Sequence, residues 1–340
     1  MVRYTLLTEK EATIKILVTG ASGHIGYHIC KLLISKGYEV KAFIRPSSFR
    51  EHLLKLPLNI CYGDILKIDT LRKGMEGVEV IFHTAAIYEF TQSKEDNLVV
   101  ETATQGTKNL YLAACESGVK KIIHTSSVET VGLSYDKNIF LNESNFTKKA
   151  FYTYSIAKIE SEIITLELAR KFNLYTVICN PSTVIGKDDY KPTPSNKMLL
   201  NYAKYNLFYV ESGQSLVDVE DVANGHLNAY LYGRSMERYI LSGENIEVKN
   251  FIILIRRILN IKIPFIKLNK FVLYPAAFLF ETSSKVTNKE PFFTKQRLTR
   301  AMGSYSYYDC SKARQELGYS PRKLIETLSA TLSWLLERYR

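Results

Sequence analysis

Residues 14–26 read IKILVTGASGHIG, a short apolar run that passes without a linker into three glycines spaced by two residues, Gly20, Gly23 and Gly26. Glycine permits a sharp reversal and a close backbone approach, and a helical pattern, HIGYHICKLLISKG, begins at once. The same rhythm recurs. EVKAFI (39–44), NICY (59–62), VEVIFHT (78–84), KKIIHTSS (120–127) and LYTVICN (174–180) are strand candidates, and the stretches NLVVETATQGTKNLYLAACESG and YSIAKIESEIITLELARKF carry apolar residues at helical spacing. Strands that are apolar throughout need cover on both faces, which alternating helices supply. The pattern predicts an α/β chain built on a doubly wound parallel sheet.

After Pro181 the rhythm breaks. GKDDYKPTPSNK (186–197) has little periodicity and reads as a binding loop or lid. At 340 residues the chain has room for a large domain and a smaller companion. The expected division is a nucleotide-binding domain over 14–185, with 214–234 returning to it, and a substrate-binding region over 186–213 and 235–340.

Composition closes off several classes. Hydrophobic residues at 46% and charged residues at 23% are ordinary for a globular chain. The net charge of +11 favours acidic partners, but the basic residues are scattered without a dense aromatic-interleaved run, which argues against nucleic acid. The start, MVRYTLLTEKEATIK, lacks the layout of a secretion signal. Cys30, Cys61, Cys115, Cys179 and Cys310 are odd in number and far apart, as expected of reduced, buried thiols in a cytoplasmic protein. Six scattered histidines without ligand-like spacing predict no metal site. The longest apolar run, FVLYPAAFLF (271–280), is too short to span a bilayer and contains Pro275. It reads as a core or pocket helix, with peripheral membrane contact as the alternative.

The glycine turn is a cofactor-site signal. Gly-x-x-Gly-x-x-Gly between a first strand and a helix exposes helix-start amides to a pyrophosphate. Gly20, Ser22, Gly23, His24, Ile25 and Gly26 are therefore candidate dinucleotide contacts. Asp64 and Ile65 follow the third strand, where the Asp64 carboxylate either accepts from an adenine or caps the turn ahead of Leu66. Thr84, Ala85 and Ala86 end the fourth strand, where small residues admit a ribose, while His83 is expected to pack within the fold.

TSS (125–127) ends the fifth strand candidate, and Tyr154 and Lys158 follow four apart at the start of a long helix, on one face. An ammonium beside a phenol stabilises phenolate and makes tyrosine a usable acid/base. Ser127 is placed to hold a substrate oxygen. Tyr27-Lys31, Tyr308-Lys312 and Tyr319-Lys323 share the spacing, but only Tyr154-Lys158 lies just downstream of a serine pair at a strand end.

Together these pieces resemble the extended short-chain dehydrogenase/reductase family. VTGASGHIG, GDI, HTAA, GTKNL, TSSVETVG, YSIAK and NPSTVIG come in the family's order, so the resemblance covers nearly the whole chain. LVDVEDVANGH, RYILSGEN and SKARQELGYSP look like its dihydroflavonol-reductase-like branch, and NPSTVIGKDDYKPTPS is similar to the group labelled hopanoid-associated sugar epimerases. The resemblance implies a Rossmann-type fold, Tyr154 as acid/base, Lys158 on the ribose, Ser127 on the substrate, and Asn180, Pro181 and Ser182 near the nicotinamide. It also implies a homodimer through two long helices. The family's frequent Asn-Val-x-Gly-Thr reads Ala103-Thr104-Gln105-Gly106-Thr107 here, so no asparagine stands at that proton-relay position.

Arg45, just past the second strand candidate in VKAFIRPSSF, separates the enzyme classes. An acid there holds the ribose of NAD, whereas arginine pairs with the 2'-phosphate of NADP(H); Ser47 or Ser48 can add hydrogen bonds. The expected function is an NADPH-dependent reductase of a ketone or aldehyde, with NAD(H) as the alternative cofactor. An NAD(P)-dependent nucleotide-sugar epimerase and a non-catalytic NAD(P) sensor are the alternative functions. Serines and a displaced Glu129, in place of an Asp-Glu pair, argue against a dehydratase. Ile87, Tyr88, Phe90, Val128 and Phe151 predict a fairly apolar pocket for a small carbonyl or alcohol.

Overall fold

The computed structural model describes residues 14–86, 96–204, 208–269 and 301–339, together with 271, 273–275, 282 and 298. Strands β1 (Lys15–Thr19), β2 (Glu39–Ile44), β3 (Asn59–Tyr62), β4 (Val80–His83), β5 (Lys121–Thr125) and β6 (Tyr175–Pro181) lie where the apolar runs predict them. Helices α1 (His24–Ser35), α2 (Ile68–Gly74), α3 (Asp96–Glu116) and α4 (Thr153–Phe172) connect them. Beyond follow β7 (Thr183–Ile185), α5 (Pro194–Lys204), β8 (Phe208–Tyr209), β9 (Gly213–Asp218), α6 (Val219–Tyr232) and β10 (Arg238–Leu241). The chain continues through β11 (Glu244–Glu247), α7 (Val248–Leu259), β12 (Ile266–Lys267), β13 (Tyr305–Ser306), α8 (Ser311–Leu317) and α9 (Leu324–Arg338).

Among the described residues, seven strands form one sheet in the order β10-β6-β5-β4-β1-β2-β3, with every neighbouring pair parallel. The doubly wound, Rossmann-type expectation holds. The strands are apolar throughout because both faces are covered: one core joins Ile16, Val18, Ile29, Leu33, Val222 and Leu227, and the other joins Leu17, Ile81, Leu71, Leu110, Tyr111 and Ala169. The chain builds outward from β1 to β3, then returns to place β4 on the other side of β1. That reversal opens a crevice beyond the carboxyl ends of β1 and β4, the usual ligand position in such sheets.

A second sheet, β11-β9-β13 with β7 on β9, packs on a separate core of Leu199, Phe251, Ile255, Leu328, Leu332 and Leu335. β8 and β12 pair apart from both sheets. Three details differ from the sequence division. In the returning segment 214–234, α6 covers the main sheet while β9 pairs in the second one, adding only Val217 to the first core. The seventh main-sheet strand, β10, comes from the segment assigned to substrate, as do Cys310, Ala313 and Leu317 of the first core. The aperiodic stretch 186–197 is helical from Pro194, whose fixed φ suits a first helical position.

All five cysteines are free; Cys30, Cys179 and Cys310 are buried as expected, but Cys61 is half-buried and Cys115 exposed at the solvent side of α3. Among the described residues, no helix is long and apolar enough to cross a membrane, and no cluster of three or more His, Cys, Asp or Glu is arranged for a metal ion. In the candidate membrane-contact run, only Phe271 and residues 273–275 lie among the described residues, and Phe271 is exposed.

Candidate active site

The glycine turn sits in the crevice. Gly20 has φ +70°, a left-handed conformation that disfavours other residues, and a Cβ there would stand 2.7 Å from the Ala85 backbone. A Cβ at Gly26 would meet Gly20 O at 2.3 Å and Thr84 Oγ1 at 2.8 Å. These contacts lock the loop onto the end of β4, where Thr84 Oγ1 donates to Thr19 O at 2.7 Å. Gly23 precedes α1 in an extended conformation; no side chain caps the helix and no acid stands in its first turn. The first-turn amides of a helix have no intrahelical acceptor, so this start presents donors and a positive dipole end to an anion. The cradle fits the pyrophosphate of a dinucleotide. Ser22 and Ile25 are half-buried beside it, while the buried His24 donates from Nε2 to Lys187 O at 2.9 Å.

Arg45 follows β2 directly and is exposed. Its carbonyl accepts Ser48 N–H at 2.9 Å, closing a turn with Pro46 in its second position. Among the described residues it forms no salt bridge. Asp64 Oδ1 accepts Leu66 N–H at 3.0 Å, which is the local cap, and Ile65 packs against Gly106.

Tyr154 stands in the first turn of α4 and Lys158 one turn later, so both reach the end of β5. Lys158 is buried, donates to Thr125 O at 2.8 Å, and has its Nζ 5.9 Å from the centre of the Tyr154 ring. Burial pushes the ammonium down to about 8, and the charge of Glu162 opposes that shift. Ser127 Oγ accepts Glu129 N–H at 3.2 Å, and among the described residues its own hydrogen has no acceptor. Ser155 Oγ donates to Glu129 Oε2 at 2.5 Å, so the displaced acid is tied to the helix beside Tyr154.

Behind Lys158 lies a shell of buried histidines. Burial holds His83 down to about 3 and His226 down to about 4, and holds His124 well below the usual range. His226 Nδ1 donates to Val222 O at 2.8 Å, since a carbonyl only accepts; Nε2 of the neutral ring then accepts from Thr125 Oγ1 at 2.8 Å. His83 Nδ1 bonds Thr19 Oγ1 at 2.7 Å, the packing role expected of it. The cleft is lined by His83, Ala85, Ala86, Val99, Ala103, Thr107, His124, Thr125, Tyr154, Ala157, Lys158 and Ser161.

The structure thus brings together Gly20, Gly26, Thr84 and Ala85 at one end of the crevice and Tyr154 and Lys158 at the end of β5. Other predicted residues stand elsewhere. Asn180 is fully buried and donates from Nδ2 to Glu162 Oε2 at 2.8 Å and to Ser127 O at 3.1 Å. Ser182 Oγ is buried without a partner among the described residues. Pro181 ends β6 beside Leu241. Val128 is buried and packs in the main core. Phe151 is half-buried under Lys149. Ile87, Tyr88 and Phe90 lie outside the described residues.

Sequence reasoning missed Val99, Ala103, Thr107, Ala157 and Ser161 in the lining, and Glu162, Arg238 and His226 behind it. Helical spacing offered a signal for some: Ser161 and Glu162 repeat the α4 face of Tyr154 and Lys158.

Residues 16–241 match the NAD dependent epimerase/dehydratase family. An inferred dihydroflavonol 4-reductase of Synechocystis sp. is 30% identical over 323 residues, covering 93% of each chain. Sterol demethylase protein B of Methylococcus capsulatus is 28% identical over 95% of this chain and 98% of its own. The crystal structure of gox2253 superposes with a TM-score of 0.85 at 34% identity, covering 96% of this chain and 98% of that one. With its seven-stranded sheet, glycine cradle and Tyr-Lys helix, the chain belongs to the NAD dependent epimerase/dehydratase family, extended short-chain dehydrogenase/reductase enzymes that use NAD(P).

Proposed function

We propose that this enzyme is an NADPH-consuming reductase of a ketone or aldehyde on a fairly apolar small molecule. The observation that carries the reading is the pairing of Tyr154 with the buried Lys158 at the end of β5, two residues before Ser127, whose hydroxyl hydrogen has no acceptor among the described residues. Bound NADPH supplies the hydride. Ser127 donates to the carbonyl oxygen and orients it; Tyr154 delivers the proton as the oxygen gains charge; the Lys158 ammonium favours the phenolate left behind. The helix start at Gly23 holds the pyrophosphate, and Thr84, Ala85 and Ala86 leave room for the ribose. Arg45, exposed and without a salt bridge among the described residues, supports a 2'-phosphate over a bare ribose. Relatives named as a dihydroflavonol reductase and a sterol demethylase protein favour a reductase of apolar substrates. The domain around β7, α5, β9, α7 and α9 is the proposed substrate side.

The test is purified protein with NADPH or NADH against a panel of aromatic, steroid-like and aliphatic carbonyls, read as cofactor oxidation. Turnover with NADPH that falls at least about a hundredfold in Tyr154→Phe is expected. Unchanged turnover in that variant sinks the mechanism, and a tightly retained NAD with no net oxidation of NADPH turns the reading to a sugar epimerase.

A further inference from the structure

Glu162 is fully buried on α4, one helical turn beyond Lys158 and two beyond Tyr154. Its Oε2 accepts from Ser126 Oγ, from Thr130 Oγ1 at 2.9 Å and from Asn180 Nδ2 at 2.8 Å, while Oε1 pairs with Arg238 Nε at 2.6 Å. A buried carboxylate is retained only where it is paired and hydrogen-bonded, and this one is held from several sides. Asn180 Nδ2 also donates to the Ser127 main-chain carbonyl at 3.1 Å, and Thr130 Oγ1 lies 2.9 Å from that carbonyl as well, its single hydrogen serving one of the two acceptors at a time. Arg238 extends the network: Nη2 donates to Thr130 Oγ1 at 2.8 Å, and Nη1 donates to Glu143 O and Asn145 O at 2.9 Å each. One acid therefore fastens, from behind, the strand end that presents the Ser127 hydroxyl.

Building on the reductase reading, we infer that Glu162 is the positioning residue of this site, fixing Ser127 through Thr130 and Asn180 and setting a counter-charge one turn from Lys158. The groups facing Lys158 are His83 from β4, His124 from β5, His226 from α6, and Tyr154 and Glu162 on its own helix. Burial keeps the three histidines neutral. Burial also pushes Lys158 down to about 8, and among the described residues Glu162 is the charged group that favours its ammonium form. Glu162 thus bears on both groups that serve the substrate oxygen: it orients the Ser127 hydroxyl, and it keeps charged the lysine that tunes Tyr154.

The experiment uses Glu162→Gln, Glu162→Asp and the paired Glu162→Gln/Arg238→Gln, the last leaving no charge stranded in the core. Lys158 is read directly by ¹³Cε NMR of labelled lysine, assigned with Lys158→Arg, so this reading needs no turnover. Both glutamine-bearing proteins are expected to titrate Lys158 lower by about one pH unit or more, a tenfold change in its ionisation. The aspartate variant should stay near the wild-type value. In turnover, the alkaline limb of kcat/KM should move down with Lys158 in the glutamine variants. Their kcat should fall about tenfold through misplacement of Ser127 while KM for NADPH stays within about twofold. Aspartate should restore the limb while recovering only part of kcat. An unmoved Lys158 titration in folded glutamine variants overturns the inference, as does a fall in kcat with no shift of the limb. If the single variant does not fold, the paired variant decides. A wild-type protein that reduces no carbonyl defeats the reductase reading, and the Lys158 titration still decides the role of Glu162.

Discussion

In the proposed reading Arg45 carries the preference for NADPH, and its position is the reason one residue can do so. β2 ends at Ile44, and the Arg45–Ser48 turn leaves the arginine exposed at the rim of the crevice. Arg50 is nearby in sequence, but it donates to Pro46 O at 3.1 Å and lies over the Tyr62 ring. Replacing Arg45 by aspartate substitutes repulsion of the 2'-phosphate for a charge-assisted pair. Arg45→Asp is expected to weaken NADPH by about 10- to 100-fold, the value of one such hydrogen bond lost, and to reverse the preference for NADPH over NADH. Fluorescence titration of both cofactors measures it; equal affinities before and after show that Arg45 does not read the phosphate. The positions of Gly20, Gly26, Tyr154, Lys158 and Arg45 were legible in the sequence because each follows from near neighbours on one strand, turn or helix. Glu162 was not, since its meaning depends on Arg238, a partner 76 residues later on another strand.

At the scale of elements, the join between the two parts of the molecule rests on the start of α6. Asp218 caps that helix by accepting Glu220 N–H at 2.8 Å, and Glu220 and Asp221 stand in its first turn, where the dipole favours acids. Arg322, just before α9, donates to both Asp221 oxygens from its side chain, and its own backbone N–H reaches Asp221 Oδ2 at 2.8 Å. The Arg322 side chain is partly exposed, which weakens each charge contact, whereas Asp221 is buried. Asp221→Asn is expected to cost about 1–3 kcal/mol of stability, because the Arg322 donors lose a buried, charged acceptor. Urea unfolding reads the cost, and a change within error shows that the clamp is not structural. The helices and strands themselves were legible from periodicity, but this clamp spans 101 residues and no local pattern announces it.

At the scale of the whole molecule, several buried histidines set the response to acid. His28 and His226 are held down to about 4 and His83 to about 3, all chiefly by burial. The unfolded chain binds protons at these groups at an ordinary histidine pKa, near 6.5. The unfolded state therefore holds more protons than the folded one in this range, so stability is lost as pH falls below about 6.5 and continues to fall toward 4. Thermal melts from pH 7 to 4 should show a declining Tm, with a shallower decline in His226→Gln; a flat profile contradicts the neutral histidine shell. The sequence by itself determined the doubly wound sheet, the glycine cradle and the Tyr-Lys helix, because alternating hydrophobicity and helical spacing act over a few residues. The tertiary structure alone decided that β9 leaves the main sheet while β10 joins it, that neutral histidines surround Lys158, and that Glu162 fastens Ser127. Each of these depends on which distant surfaces are buried against each other, and burial sets both strand partners and the charge a side chain can hold.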